Sequence, residues 1–251
     1  KRWRSRDLRD AVDEIEHLAR RWNIRSFYFV DCSFEDPGPS NDRLIRLAGE
    51  IIARHLPITY SAFFRPDFHK RADAPLLELL RKSGLVGALI GVESAHQAGL
   101  DLYRKHTTPD DNVKTVELFR RHGLNVDIGF IMFNPYTTFA GLRADIDFLE
   151  THGFASNLSN LINQYALTMG CDLDRRIRAD GLLTDEDEPF GYRFADERIA
   201  RLAAYIRDFA DRLPPETNGA LLRIQRNIIN LAYWRRMFES DAALRQPIVD
   251  L

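Results

Sequence analysis

Short apolar strands alternate with amphipathic helices along most of this chain, and that alternation limits the fold more than any single motif. Val86 to Val92 is the clearest strand: a continuous apolar run, too short for a helix, that follows a helix stop at Lys82-Ser83-Gly84. Arg25 to Val30, Ile58 to Phe64 and Asn125 to Met132 read the same way. Leu158 to Gln164 is expected to be one more strand, although Asn160 and Asn163 interrupt it. Helices are expected over Arg6 to Trp22, Asn41 to His55, Asp73 to Ser83, Gly99 to Lys105, Thr108 to His122 and Thr138 to His152. Their ends are marked: Pro75 lies in a first turn, Thr108-Pro109-Asp110-Asp111 joins a hydroxyl cap to a proline and two acids, and Gly123 and Gly153 are stops. Strand and helix recur at a spacing of roughly 28 to 40 residues, which implies βα units and a parallel sheet with helices outside it. The chain opens on a helix, so a first strand is expected upstream of Lys1. The fold class expected is α/β, a partial (β/α)6 TIM-like barrel with a C-terminal helical extension.

After Cys171 the pattern changes. A short helix over Asp172 to Ala179, an acidic loop over Thr184 to Gly191 and helices over Asp196 to Leu213 and Asn218 to Phe238 are expected, with Pro214-Pro215 between the last two. The domains read as a barrel core over 1–180 and a helical extension over 181–251. Composition narrows the function. A formal net charge of −2 makes no case for nucleic acid or an anionic membrane, and no apolar run approaches the roughly 20 residues of a membrane span. Lys1 to Arg6 leads into a charged helix, unlike a signal peptide, and the segment reads as a fragment or processed product. Two distant cysteines, Cys32 and Cys171, make no disulfide framework and are too few for an iron–sulfur cluster; the cytoplasm is the compartment expected.

The strand ends carry the chemistry. The apolar run to Val92 stops abruptly in Glu93-Ser94, a carboxylate and a hydroxyl where α/β folds bind ligands. Polar clusters follow the other strands as well: Asp31-Cys32-Ser33, Arg65-Pro66-Asp67, Asn134 and Gln164-Tyr165. Together they describe a polar, concave site suited to a zwitterionic, hydroxyl-rich ligand. Each residue also has a plainer reading. Glu93 could cap the next helix or pair with an arginine, and Arg65 with Asp67 could be a structural ion pair. No pair of histidines has the spacing of a helical zinc site, and no phosphate-cradling or dinucleotide glycine motif occurs, so no metal ligand is assigned.

Phe29-Val30-Asp31-Cys32-Ser33-Phe34, Phe64-Arg65-Pro66-Asp67, Ile90-Gly91-Val92-Glu93-Ser94, Lys105-His106-Thr107-Thr108 and Gly129-Phe130-Ile131-Met132 stand in the order and spacing of a known family. Over about residues 1 to 180 the chain resembles the radical S-adenosylmethionine (radical SAM) enzymes, above all the branch with a cobalamin-binding domain. Arg2-Trp3-Arg4-Ser5 resembles the segment just after that family's cluster motif. The motif itself, Cys-x3-Cys-x2-Cys, does not occur, and the resemblance places it upstream of Lys1. The resemblance implies S-adenosylmethionine, a 4Fe-4S cluster with ligands upstream of residue 1, and a 5′-deoxyadenosyl radical. It implies that Asp31, Cys32 and Ser33 lie near the methionine amino group and that Glu93 and Ser94 lie near the ribose or amino group. Lys105 would take the carboxylate, and Ile131 and Met132 would flank the adenine. Arg65, Asn134 and Tyr165 would face S-adenosylmethionine or the substrate, Arg65 and Tyr165 as catalytic residues. Cys32 stands where relatives often have Asp, and packing is its plainer role. Cobalamin, on an N-terminal domain of a parent chain, would serve methylation or rearrangement of a small-molecule or peptide substrate. Two other readings remain open: a non-radical barrel enzyme using Glu93, Asp31 and a histidine as acid–base groups, and a non-catalytic binding domain.

Overall fold

Nine helices and four strands are described in the computed structural model, over residues 4–36, 38–184 and 191–213. The order is α1 (Leu8–Trp22), β1 (Ser26–Tyr28), α2 (Asp42–Ala53), β2 (Thr59–Phe64), α3 (Ala74–Ser83), β3 (Leu85–Glu93), α4 (Gln97–Leu102), α5 (Pro109–Arg121), β4 (Asn125–Phe130), α6 (Phe139–Thr151), α7 (Leu158–Ile162), α8 (Asp172–Ala179) and α9 (Glu197–Arg212). A 3-10 turn, Phe68–Lys70, lies between β2 and α3. The strands form one sheet in the order β1-β2-β3-β4, and β1, β2 and β3 pair in parallel. Sequential parallel neighbours joined by helices are βα units, as the alternation of strand and helix requires.

The helices begin where the sequence supplies caps. Asp7 accepts from the N–H groups of Arg9 and Asp10 at the start of α1, and Asp73 accepts from Leu76 N–H at the start of α3, where Pro75 sits in the first turn. Thr138 and Asp196 do the same for α6 and α9. Gly84 carries the chain from α3 into β3 with φ 125°, and a Cβ there would lie 2.5 Å from Ile58 O, so the position requires glycine twice over.

The described residues fold into two compact units. One comprises residues 4–36, 38–91 and 113–127, and the other 92–112, 128–184 and 191–213; β3 and β4 run from the first into the second. The first unit's core is aromatic. Phe34, Tyr60, Phe64, Phe68 and Phe119 are buried, with ring centroids 4.8 Å apart for Phe64 and Phe119 and 5.7 Å for Phe34 and Phe64. Such pairs add about 0.5–1.5 kcal/mol each beyond their buried area. α1, α2 and α3 bury Val12, Ile15, Leu44, Leu47, Ile51, Leu77 and Leu80. The second unit buries Phe130, Phe133, Phe148 and Leu149, and a separate cluster around Leu173, Ile177 and Tyr192.

One element differs from the sequence reading. Leu158 to Gln164 is not a strand: Leu158–Ile162 is the short helix α7, capped by Asn157, and only Gln164 pairs, in an isolated parallel bridge with Phe133. Leu158, Leu161 and Ile162 have helical spacing, and Asn160 is buried with its Nδ2 donating to Phe154 O, a bond that secures the helix. The expected helix over Asn218 to Phe238, the prolines before it and most of the acidic loop lie outside the described residues.

Candidate functional site

The second unit holds three of the five polar strand-end clusters: Glu93-Ser94, Asn134 and Gln164-Tyr165. β3 ends at Glu93, whose φ of 62° is left-handed. A non-glycine residue held there costs on the order of 1–3 kcal/mol, and such strain persists where the surroundings enforce it. Here they do. Glu93 O accepts from Ile131 N–H at 3.0 Å, which fixes the backbone, and its Oε1 lies 3.4 Å from Lys105 Nζ. Both side chains keep limited exposure, 26% for Glu93 and 19% for Lys105. Glu93 does not cap α4: His96 does, its Nδ1 accepting from Gly99 N–H at 3.1 Å. A half-buried carboxylate and ammonium side by side at a strand tip suit a zwitterion, each finding its opposite on the ligand.

Ser94 is buried, with its hydroxyl directed to Asp145 of α6. Asp145 Oδ1 accepts from Ala95 N–H at 2.8 Å and from Ser94 Oγ at 3.3 Å, and its Oδ2 lies 3.7 Å from His96 Nε2. Burial pushes the Asp145 carboxyl up to about 6, against the hydrogen bond from Ala95 and the proximity of His96, which favour the charged form. Asn112, fully buried, donates to Ser94 O at 2.9 Å.

A second group surrounds Tyr103. Asn134 Oδ1 accepts from Tyr136 N–H, which leaves its Nδ2 to donate to Tyr103 Oη at 2.8 Å. The rings of Tyr103 and Tyr165 stack at 6.0 Å, and burial raises the pKa of Tyr103. Tyr165 Oη lies 3.4 Å from Cys171 Sγ, and its hydroxyl is pushed up to about 12, first by burial and then by that thiol. Burial also raises the Cys171 thiol, but hydrogen bonds from Tyr165, Asp174 N–H and Leu173 N–H outweigh it and leave the thiol below its ordinary value. Ile131 is half-buried, and Met132 is buried at 3%.

The remaining strand-end residues belong to the first unit. Asp31 and Cys32 are exposed and Ser33 is half-buried, so the plainer reading of Cys32 as a packing residue does not hold. The loop they form is anchored by Phe34 N–H donating to Phe63 O and by the buried Glu35, whose Oε1 accepts from Arg65 N–H at 2.8 Å. The Arg65 guanidinium forks onto Asp67 at 3.0 and 3.3 Å, as the plainer reading of that pair anticipates. Sequence reasoning missed Asp145, Tyr103, Asn112 and the anchoring role of Glu35. For Asp145 a signal existed: it falls on the buried face of α6 with Leu142, Phe148 and Leu149, where an acid breaks the apolar stripe.

Among the described residues no group of three or more His, Cys, Asp or Glu side chains could hold a metal ion. The sequence has two cysteines, one exposed on a loop of the first unit and one capping α8 in the second. These residues do not fit a 4Fe-4S cluster, which needs cysteine thiolates converging on one point. The Glu93–Lys105 pair does fit the amino-acid end of S-adenosylmethionine.

Residues 1–149 match the family described as the Radical SAM superfamily. The anaerobic magnesium-protoporphyrin IX monomethyl ester cyclase of Rubrivivax gelatinosus is 32% identical over 130 residues, 52% of this chain and 23% of that protein. The 4'-phospho-dehydrooxetanocin synthase of Priestia megaterium is 29% identical over 153 residues, 55% of this chain and 21% of that protein. The matched segments therefore span less than a quarter of these relatives' length. The cobalamin-dependent S-adenosylmethionine radical enzyme OxsB, solved with aqua-cobalamin and S-adenosylmethionine bound, superposes with a TM-score of 0.69 at 18% identity, over 92% of this chain and 42% of that one. The radical S-adenosylmethionine methyltransferase TsrM of Kitasatospora setae superposes with a TM-score of 0.51 at 22% identity, over 59% of this chain and 29% of that one. At these identities the likeness is one of fold: the helix-covered parallel sheet belongs to the TIM-barrel-like radical SAM architecture.

Proposed function

The chain belongs to the radical SAM superfamily, and from that premise we propose that it is the S-adenosylmethionine-binding part of a cobalamin-dependent radical SAM enzyme. The observation that carries this reading is Glu93, strained at φ 62° beside Lys105 at 3.4 Å. In the proposed complex the Glu93 carboxylate accepts hydrogen bonds from the ligand's ammonium or ribose hydroxyls, and Lys105 pairs with its carboxylate. Ile131 and Met132 line the adenine side, and Asn134 and Tyr165 face ligand or substrate. For Asp31, Cys32, Ser33 and Arg65, at strand ends of the first unit, the family resemblance is the ground for a role in ligand binding, and a barrel core over 1–180 with a helical extension over 181–251 belongs to the same reading. Reductive cleavage of S-adenosylmethionine belongs to a 4Fe-4S cluster, and its ligands must come from outside these 251 residues, since two cysteines cannot supply them. The names of the relatives support the wider assignment: a cyclase, a synthase and a methyltransferase, with two of the solved structures described as S-adenosylmethionine radical enzymes. The reaction is accordingly a radical methylation or rearrangement of a small-molecule or peptide substrate, with cobalamin carried by another domain of the whole protein, in the cytoplasm.

The test uses the full-length protein, purified anaerobically. Glu93→Gln should weaken S-adenosylmethionine binding at least tenfold by calorimetry, as expected for loss of a charge-assisted hydrogen bond. Under reduction the wild type should convert S-adenosylmethionine. Turnover without iron or reductant, or an unchanged affinity in the variant, rules this reading out.

A further inference from the structure

The turn after Glu93 is held from three sides. From α6, 50 residues along the chain, Asp145 Oδ1 accepts Ala95 N–H at 2.8 Å and Ser94 Oγ at 3.3 Å. From the first turn of α5, Asn112 Nδ2 donates to Ser94 O at 2.9 Å. From within the turn, His96 stands between the two helices it serves. Its Nδ1 accepts Gly99 N–H and caps α4, so in the neutral ring the proton sits on Nε2, which faces Asp145 Oδ2 at 3.7 Å. Two glycines make the room. A Cβ on Gly99 would lie 2.2 Å from Ser94 Oγ, and a Cβ on Gly141 would lie 2.7 Å from His96 Nε2. Asp145, Ser94 and Asn112 are all more than nine-tenths buried. A buried carboxylate carries a desolvation cost that an apolar residue on the same helix face would avoid. What Asp145 supplies in return is geometry: its carboxylate determines where the Ala95 N–H points, and Ala95 lies two residues from the left-handed Glu93.

We propose that Asp145 is a positioning residue for Glu93, holding the Ser94-Ala95-His96 turn so that the strained Glu93 presents its carboxylate to the ligand beside Lys105. This inference rests on the reading that Glu93 contacts S-adenosylmethionine. Asp145 itself touches no ligand. Its influence passes through the two hydrogen bonds to Ser94 and Ala95, so Asp145 has nothing to act on once Glu93 no longer contributes to binding.

That dependence supplies the test, a double-mutant cycle in the full-length protein with S-adenosylmethionine as the titrated probe. Asp145→Asn keeps the size of the side chain but turns an acceptor oxygen into a donor facing the turn or His96. In the wild-type background it should weaken binding about tenfold; in the Glu93→Gln background it should weaken it less than twofold. Equal losses in both backgrounds would mean a merely structural role and overturn the inference, as would no loss in the wild-type background. If Glu93→Gln alone leaves the affinity unchanged, the underlying reading fails and the inference with it, an outcome distinct from either of the others. Should Asp145→Asn not fold, His96→Asn serves in its place. An asparagine still caps α4 and removes the ring nitrogen facing Asp145, and a loss of about threefold confined to the Glu93 background is expected. A loss equal in both backgrounds, or none, overturns the inference by this route too.

Discussion

Asp145 is a carboxylate whose ionisation works against the fold it serves. Burial holds its folded pKa at about 6, well above the 3.8 of an exposed aspartate, although Ala95 N–H, His96 and Ser94 all favour the charged form. Between these two values the native state keeps a proton that the unfolded chain has released. Its contribution to stability is therefore greatest below about pH 4, declines as pH rises towards 6, and is level above that. Asp145→Asn removes the titration. The thermal midpoint of the wild type relative to this variant should thus be higher at about pH 4.5 than at about pH 7. A difference that grows with pH would mean that the turn's hydrogen bonds outweigh burial and that Asp145 titrates below the ordinary range.

At the scale of elements, glycines divide by what surrounds them. Gly49 lies inside α2 with nothing within 4 Å of where a methyl group would stand, whereas Gly99 lies inside α4 with Ser94 Oγ at 2.2 Å and Ser94 Cβ at 2.7 Å from that point. Alanine gains about 1 kcal/mol over glycine in a helix interior, and overpacking a filled site costs about 1–3 kcal/mol. Gly49→Ala should therefore raise stability by about 0.5–1 kcal/mol, and Gly99→Ala should lower it by about 1–2 kcal/mol, read from denaturant midpoints at unchanged slope. The sequence makes the two glycines equivalent, and only tertiary packing separates them. The same limit explains what else is legible. Caps, stops and the strand at Val86 to Val92 are local signals, and each of these stands within a residue or two of its expected place. Glu93 is legible because an acid ends an apolar run. Its left-handed φ and its partner Lys105, 12 residues on, are set by the turn between them. α7 reads wrongly as a strand because a segment of five helical residues and one bridging residue is too short for either periodicity to dominate. The burial of Asp145 is legible as an acid in the apolar stripe of α6, but its pairing with a turn 50 residues away leaves no local pattern.

For the whole molecule, the question is how a chain that belongs to the radical SAM superfamily relates to its iron–sulfur chemistry. The matched segments are less than a quarter of the relatives' length, and the two cysteines here occupy unlike settings. Cys32 is exposed on the loop before Phe34. Cys171 accepts from Asp174 N–H as the cap of α8 and lies against Tyr165 Oη, so its sulfur is already engaged in hydrogen bonds. Neither stands among other potential ligands within the described residues. We expect a cluster bound by the whole protein to take its ligands elsewhere and to be indifferent to both. Cys32→Ser and Cys171→Ser in the full-length protein should leave iron content and the anaerobic cluster absorbance unchanged. Serine is itself a favoured helix cap, so α8 should also survive the second change. Loss of iron in either variant would make that cysteine a ligand and would move the cluster site onto this part of the protein.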